Sequence, residues 1–124
     1  MTPKNVDHLV IEVFDMNRSL DFYCHLLGLQ PERLELYRSG QVPFVSVRAG
    51  STLIDLFPAK RPRPGPPHFC LEFDDPMDAI VTSLTQANLN PSKPEQRFGA
   101  RGMGMSVYVH DPDGHEVEIR TYHP

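Results

Sequence analysis

The sequence predicts an α+β fold made of two βαβββ modules, and three observations lead there. Short stretches alternate apolar and polar residues with the period of a strand, as Leu9, Ile11 and Val13 do against His8, Val10 and Glu12. A His-x-x-x-Glu pattern opens such a stretch twice, at His8/Glu12 and His68/Glu72, and each histidine precedes a helix-capping aspartate, Asp15 or Asp75, by seven residues. The offset between the two copies is 60 residues throughout, and the order of elements repeats with it.

In chain order, Val6 to Val13 reads as the first strand. Asp15 then caps a helix over Met16 to Leu27, with Met16, Leu20, Tyr23 and Leu27 on one stripe and Gly28 as its stop. Three strands are predicted next, at about Arg33 to Arg38, Phe44 to Ala49 and Ser51 to Phe57, separated by Ser39-Gly40 and Ala49-Gly50 turns. The run from Ala59 to Pro67 is rich in proline and arginine and cannot hold regular structure. A stiff connector is its simplest reading, and a proline-rich ligand for a partner domain the other.

Beyond the linker, His68 to Phe73 alternates as the first strand does. Asp75-Pro76 opens a second helix with Met77, Ile80, Val81 and Leu84 on one stripe and Asn88 as its stop. A loop with Pro91 and Pro94, a glycine-rich loop over Gly99 to Gly104 and a strand from Met105 to His110 follow. The turn Asp111-Pro112-Asp113-Gly114 leads into a last strand, where Val117, Ile119 and Thr121 alternate with Glu116, Glu118, Arg120 and Tyr122. The expected organisation is one domain, 1–124, with a first module at 5–58, a linker at 59–66 and a second module at 67–122.

At 124 residues the chain can bury a real core as one compact unit. A net charge of -4 argues against nucleic-acid and anionic-membrane partners. No apolar run approaches spanning length, and the first residues carry no secretory h-region. Cys24 and Cys70 are too few for a disulfide framework, so a reducing cytoplasm is the expected compartment.

With the apolar alternates packed on the helices, His8, His68 and Glu118 point to the opposite faces of their sheets. If both modules set those faces around one cup, two imidazoles and a carboxylate converge into a divalent metal site with open positions. Periodicity alone leaves the alternative of three solvated polar residues on strands.

His8 within Val-Asp-His-Leu-Val, His68 after the linker, the repeat, and Asp111-Pro112-Asp113-Gly114-His115-x-x-Glu118 together resemble the vicinal oxygen chelate superfamily. That group includes glyoxalase I, extradiol dioxygenases, fosfomycin-resistance thiol transferases and bleomycin-resistance proteins. The resemblance covers essentially the whole chain. It implies paired βαβββ modules forming a cupped mixed sheet and one divalent ion per site (Mn, Fe, Zn or Ni). It also implies a small-molecule substrate held through two adjacent oxygens, and a homodimer in which a cup is either self-contained or shared between chains.

Carried over, His8, His68 and Glu118 match the three metal ligands. Where glyoxalase I has a fourth ligand in an Ile-Glu-Leu context, this chain has Ile54-Asp55-Leu56, one methylene shorter. Asp55 then ligates with a shift, ligates through water, or contacts substrate instead. Tyr108 matches a substrate-contacting tyrosine and is the catalytic candidate beside Glu118, since its hydroxyl can donate to a developing oxyanion; the plainer reading is a half-buried aromatic in a sheet.

Departures from the pattern narrow the reaction. Val10 and Phe98 stand where fosfomycin enzymes place a threonine and a basic residue. No histidine base accompanies Leu53, Asp55 and Phe57, which disfavours ring cleavage against isomerase or lyase chemistry. Arg120 shares the face of Glu118 and either holds a substrate carboxylate or pairs with Glu116 or Glu12; Arg48 is similar. Cys70 is a soft ligand, a reactive thiol or plain packing. His25, His110, His115 and His123 read as surface or turn residues. The Arg101-Gly102-Met103-Gly104 stretch is a closing loop or a simple connection. The expected function is a metal-dependent enzyme acting on a small oxygen-rich molecule. The alternatives are a non-catalytic, drug-sequestering binding protein and a structural pair of modules serving a partner.

Overall fold

The fold was analysed in a computed structural model that describes residues 1–123. The chain divides into two compact units, Met1–Gly65 and the residues from Pro66 onward. Each carries its own four-stranded mixed sheet, and together they make the expected pair of βαβββ modules.

The first unit runs β1 (His8–Val13), α1 (Met16–Leu20), β2 (Gln30–Glu32), α2 (Leu34–Arg38), β3 (Val45–Ala49) and β4 (Thr52–Pro58). Its strand order is β1-β4-β3-β2, with β1 parallel to β4 and the other pairs antiparallel. Asp15 caps α1 by accepting from the amide of Arg18. The helix then widens into a π-helical turn at Asp21–Leu26, where the Leu27 amide reaches back to the Phe22 carbonyl at 3.0 Å. This turns Phe22 and Tyr23 inward together, edge to face at 4.8 Å, and Tyr23 is fully buried. Gly28, at φ +81°, ends the segment as expected.

The strand expected at Arg33 to Arg38 is instead the short helix α2, and the strand precedes it at Gln30–Glu32. Leu34, Leu36 and their polar neighbours alternate like a strand, yet Leu and Glu are also good helix formers. Arg33 takes φ +63°, which breaks the extended run, and Glu35 pairs with Arg38 one turn on.

The second unit runs β5 (Phe69–Glu72), α3 (Met77–Gln86), β6 (Glu95–Gly99), β7 (Gly102–His110) and β8 (Glu116–Thr121). Its order is β5-β8-β7-β6, with β5 parallel to β8. Met77, Ile80 and Leu84 form the buried stripe of α3, and Asn88, at φ +61°, ends it. The glycine-rich stretch is not a free loop. It is the turn of an antiparallel β6–β7 hairpin in which Gly99 pairs with Gly102.

At the Asp111–Gly114 turn, the Asp111 carboxylate accepts from the amides of Asp113 and His115, both at 2.9 Å, and Gly114 takes φ +85°. His115 is therefore buried within the turn rather than on the surface.

Candidate functional site

Within each unit a histidine and a carboxylate meet across the parallel strand pair. In the second unit β5 lies beside β8 so that Cys70 is opposite Glu118. His68, just ahead of β5, brings Nε2 to 3.3 Å from Glu118 Oε2. Tyr108, the neighbour of Glu118 on β7, meets the His68 ring edge to face at 5.5 Å. Its hydroxyl interacts with the Arg97 guanidinium, and that contact, with Glu95 adding to it, holds Arg97 more firmly in its charged form.

Glu118 is only 5% exposed, and its Oε1 has no hydrogen-bond partner among the described residues. The cation facing that oxygen is Arg120, with Nη1 at 3.9 Å. Arg120 is as deeply buried and is anchored elsewhere, donating from Nη2 to the Arg97 carbonyl at 2.6 Å and from Nη1 to the Phe98 carbonyl at 3.3 Å. Its guanidinium also lies over the Tyr122 ring. Two glycines make the room. A Cβ on Gly99 would sit 1.9 Å from Arg120 Nη1, and one on Gly104 3.1 Å from Nη2. Those glycines serve close packing around one buried cation rather than mobility.

The first unit repeats the theme with a difference. Val10, the counterpart of Cys70, lies opposite Asp55, so Asp55 occupies the station that Glu118 holds in the second unit. His8 Nε2 lies 3.9 Å from Asp55 Oδ2. Ser46 donates its hydroxyl to Asp55 Oδ1 at 2.7 Å, and Ser46 in turn stands where Tyr108 stands beside Glu118. The other ring nitrogen of His8 is 2.7 Å from Asp7, which raises the histidine pKa above its usual range. Sequence reasoning singled out Asp55 but not its equivalence to Glu118, nor the roles of Ser46 and Asp7.

The remaining candidates are largely committed to structure. Arg48 forms a two-pronged pair with Glu32. The repeated glutamates act as latches: Glu12 accepts from the backbone and guanidinium of Arg63, and Glu72 pairs with Arg101 in the hairpin turn. Cys70 is exposed as a residue, yet desolvation of its thiol, followed by the charge of Glu118, pushes its pKa up to about 12, the opposite of a reactive cysteine. His25 pairs with Asp21 at the surface, and His110 is exposed.

No three His, Cys, Asp or Glu side chains gather into a metal-holding group among the described residues. The pairs nonetheless fit one. In the second unit, a buried carboxylate whose Oε1 has no hydrogen bond, beside an imidazole nitrogen, offers donors that Mn, Fe, Zn and Ni accept, and in the first unit Asp55 with His8 offers the same two donor types.

The family model described as Glyoxalase/Bleomycin resistance protein/Dioxygenase superfamily matches residues 5–119. Virulence protein STM3117 of Salmonella typhimurium is 31% identical over 94% of this chain and 83% of its own length. Its crystal structure superposes with a TM-score of 0.83 at 30% identity, covering 98% of this chain and 99% of the other. A protein from the mobile metagenome of V. Pseudocholerae reaches a TM-score of 0.84 at 25% identity over 100% of this chain and 98% of that one. Human mitochondrial methylmalonyl-CoA epimerase is 29% identical over 87% of this chain and 67% of its own length.

Proposed function

The chain belongs to the glyoxalase/bleomycin resistance protein/dioxygenase superfamily, and from that premise we propose a divalent-metal-dependent enzyme that takes a small substrate through two adjacent oxygens. The observation that carries this reading is the buried Glu118, whose Oε1 has no hydrogen-bond partner among the described residues, with Arg120 Nη1 at 3.9 Å, while Oε2 faces His68. A buried carboxylate oxygen without a hydrogen bond is costly, and a cation closer than the Arg120 guanidinium would complete it.

In this reading His8, His68 and Glu118 are the protein ligands. An ion held by them supplies Lewis acidity and a template for the two substrate oxygens. Tyr108, next to the His68–Glu118 pair, donates its hydroxyl to a substrate oxygen as negative charge develops there. Arg97 lies close enough on the neighbouring strand to interact with that hydroxyl. Asp55 presents Oδ2 to substrate, because Ser46 occupies Oδ1. Arg120, with its guanidinium tied to backbone carbonyls, orients Glu118 instead of holding a substrate carboxylate.

Proton movement at a carbon next to the bound oxygens, hence isomerase or lyase chemistry, fits better than ring cleavage. Leu53, Asp55 and Phe57 on β4 include no histidine base, and one relative is named an epimerase. Metal content of the purified protein, by mass spectrometry, tests the proposal. One ion per chain in the wild type, lost in His68→Ala and in Glu118→Gln, is the expected result. Absence of uptake even after incubation with Mn, Fe, Zn and Ni overturns it and leaves a small-molecule-binding protein.

A further inference from the structure

The run Arg61-Pro62-Arg63-Pro64-Gly65-Pro66-Pro67 passes through the boundary between the two units and takes no part in the chemistry proposed above. Each of its residues is a proline or precedes one. A proline fixes its own φ at about −65° and drives the residue before it out of the α region. The whole run is therefore biased to polyproline II, a left-handed helix with three residues per turn. None of the run is helix or strand, and its burial follows that threefold period. Pro62 and Gly65, on one edge, are half-buried. Arg61, Pro64 and Pro67 on the second edge are exposed, and so are Arg63 and Pro66 on the third. One edge is shielded and two are open.

The run is also held in place. Glu12 accepts from the Arg63 amide at 2.8 Å and from its guanidinium at 2.7 and 3.0 Å. An extended segment fixed in advance saves part of the ordering cost of binding it. Arg63, Pro64 and Gly65 face Val10, Ile11 and Glu12 across a hollow of about 320 Å³, which leaves space beside the Pro64 ring. On the second edge Arg61, Pro64 and Pro67 stand about 9 Å apart along the axis, a cation followed by two rings. Grooves lined by aromatic side chains take up proline rings at this spacing, and an acidic pocket beside them takes the cation.

We propose that this linker is a docking segment for an SH3-class domain, with Pro64 and Pro66-Pro67 in the partner's aromatic grooves and Arg61 on its acidic pocket. Pro62 and Gly65, on the shielded edge, face away from the partner. The inference needs neither a bound ion nor a reaction, so it stands or falls apart from the proposed enzyme function.

The test titrates the full folded chain into a panel of isotope-labelled SH3 domains that read Arg-x-x-Pro-x-x-Pro, followed by NMR and by calorimetry. Saturable one-to-one binding by at least one member is expected, with the shifted signals confined to its aromatic groove. Arg61→Ala should weaken that binding roughly 10-fold or more, as loss of a charge-assisted contact does. Pro64→Ala and Pro67→Ala should each do the same, because each removes a ring buried in the complex. Pro62→Ala, on the shielded edge, should cost only stiffness, roughly 2- to 5-fold. Circular dichroism checks that each variant is folded, and Arg61→Ala, at an exposed position, carries the test if a proline variant is not. No binding by any member of the panel overturns the proposal, as does binding that Arg61→Ala and Pro64→Ala leave unchanged. Binding to phosphatidylserine vesicles in place of the SH3 domains also overturns it and assigns the basic run to a membrane surface.

Discussion

His68 Nε2 lies 3.3 Å from one oxygen of Glu118, while the other oxygen of the same carboxylate faces Arg120 at 3.9 Å. The carboxylate is thus held between a metal-type donor and a fixed cation. Arg120→Met removes a charge that would repel a bound ion, but it also removes the group that orients Glu118. Orientation wins, because Oε1 has no other partner among the described residues. Divalent-ion affinity should fall ~10- to 100-fold by calorimetry, as for other outer partners of metal ligands. Stability should fall by about 3–5 kcal/mol in urea unfolding, since Glu118 is left buried and uncompensated. Arg120→Lys should not rescue either quantity, because an ammonium cannot span the Arg97 and Phe98 carbonyls as the fork does.

Gly99→Ala tests the same arrangement from the backbone side. The added methyl would stand 1.9 Å from Arg120 Nη1 and 2.7 Å from the Tyr122 hydroxyl, so the guanidinium must leave its carbonyls. A loss of about 1–3 kcal/mol is expected, as for overpacking elsewhere. Ion affinity should drop with it, in the direction of Arg120→Met. Unchanged affinity would separate the hairpin from the ligand.

Cys70 should be inert in the metal-free protein. With its pKa at about 12, the thiolate fraction at pH 7.5 is on the order of 10⁻⁵–10⁻⁴, and a disulfide reagent should label it far more slowly than free cysteine. Glu118→Gln removes the neighbouring charge that helps hold the pKa up, so labelling should accelerate. Because Cys70 is exposed, access does not limit the reaction, and fast labelling of the wild type would contradict the raised pKa of this thiol.

Asp7 raises the pKa of His8, and the sign of the consequence is definite. A raised histidine pKa adds stability that is present below the unfolded value and is lost as pH rises through the folded one. Metal takes the neutral imidazole, so Asp7 makes the proton a stronger competitor at this ligand. Asp7→Asn should lower the pKa of His8 in an NMR titration and move the midpoint of metal uptake to lower pH. A midpoint that stays in place would remove His8 from the ligand set.

Much of the frame was legible in the chain because it is written in local signals. The 60-residue repeat of His-x-x-x-Glu, the Asp15 cap, the stops at Gly28 and Asn88 and the alternation around Glu118 each act within a few residues. What stayed hidden depends on distant pairing. Asp55 matches Glu118 only through strand register, because the spacing inside the two copies differs. The anchors of Arg120 lie on another strand, and Gly99 and Gly104 read as mobility until the guanidinium beside them is seen. At Leu34–Arg38 the same five residues satisfy both periods, and the positive φ of Arg33 decides between them.

The closure of each sheet within its own half bears on how the chain is made. Every strand partner of β1 to β4 lies at or before Pro58, so the hydrogen bonding of the first sheet waits for nothing downstream. At translation rates of ~5–20 residues per second, the rest of the chain takes several seconds more to emerge. Over that interval the nascent chain already holds all that His8, Asp55 and Ser46 need to come together, while the codon for Glu118 has still to be read.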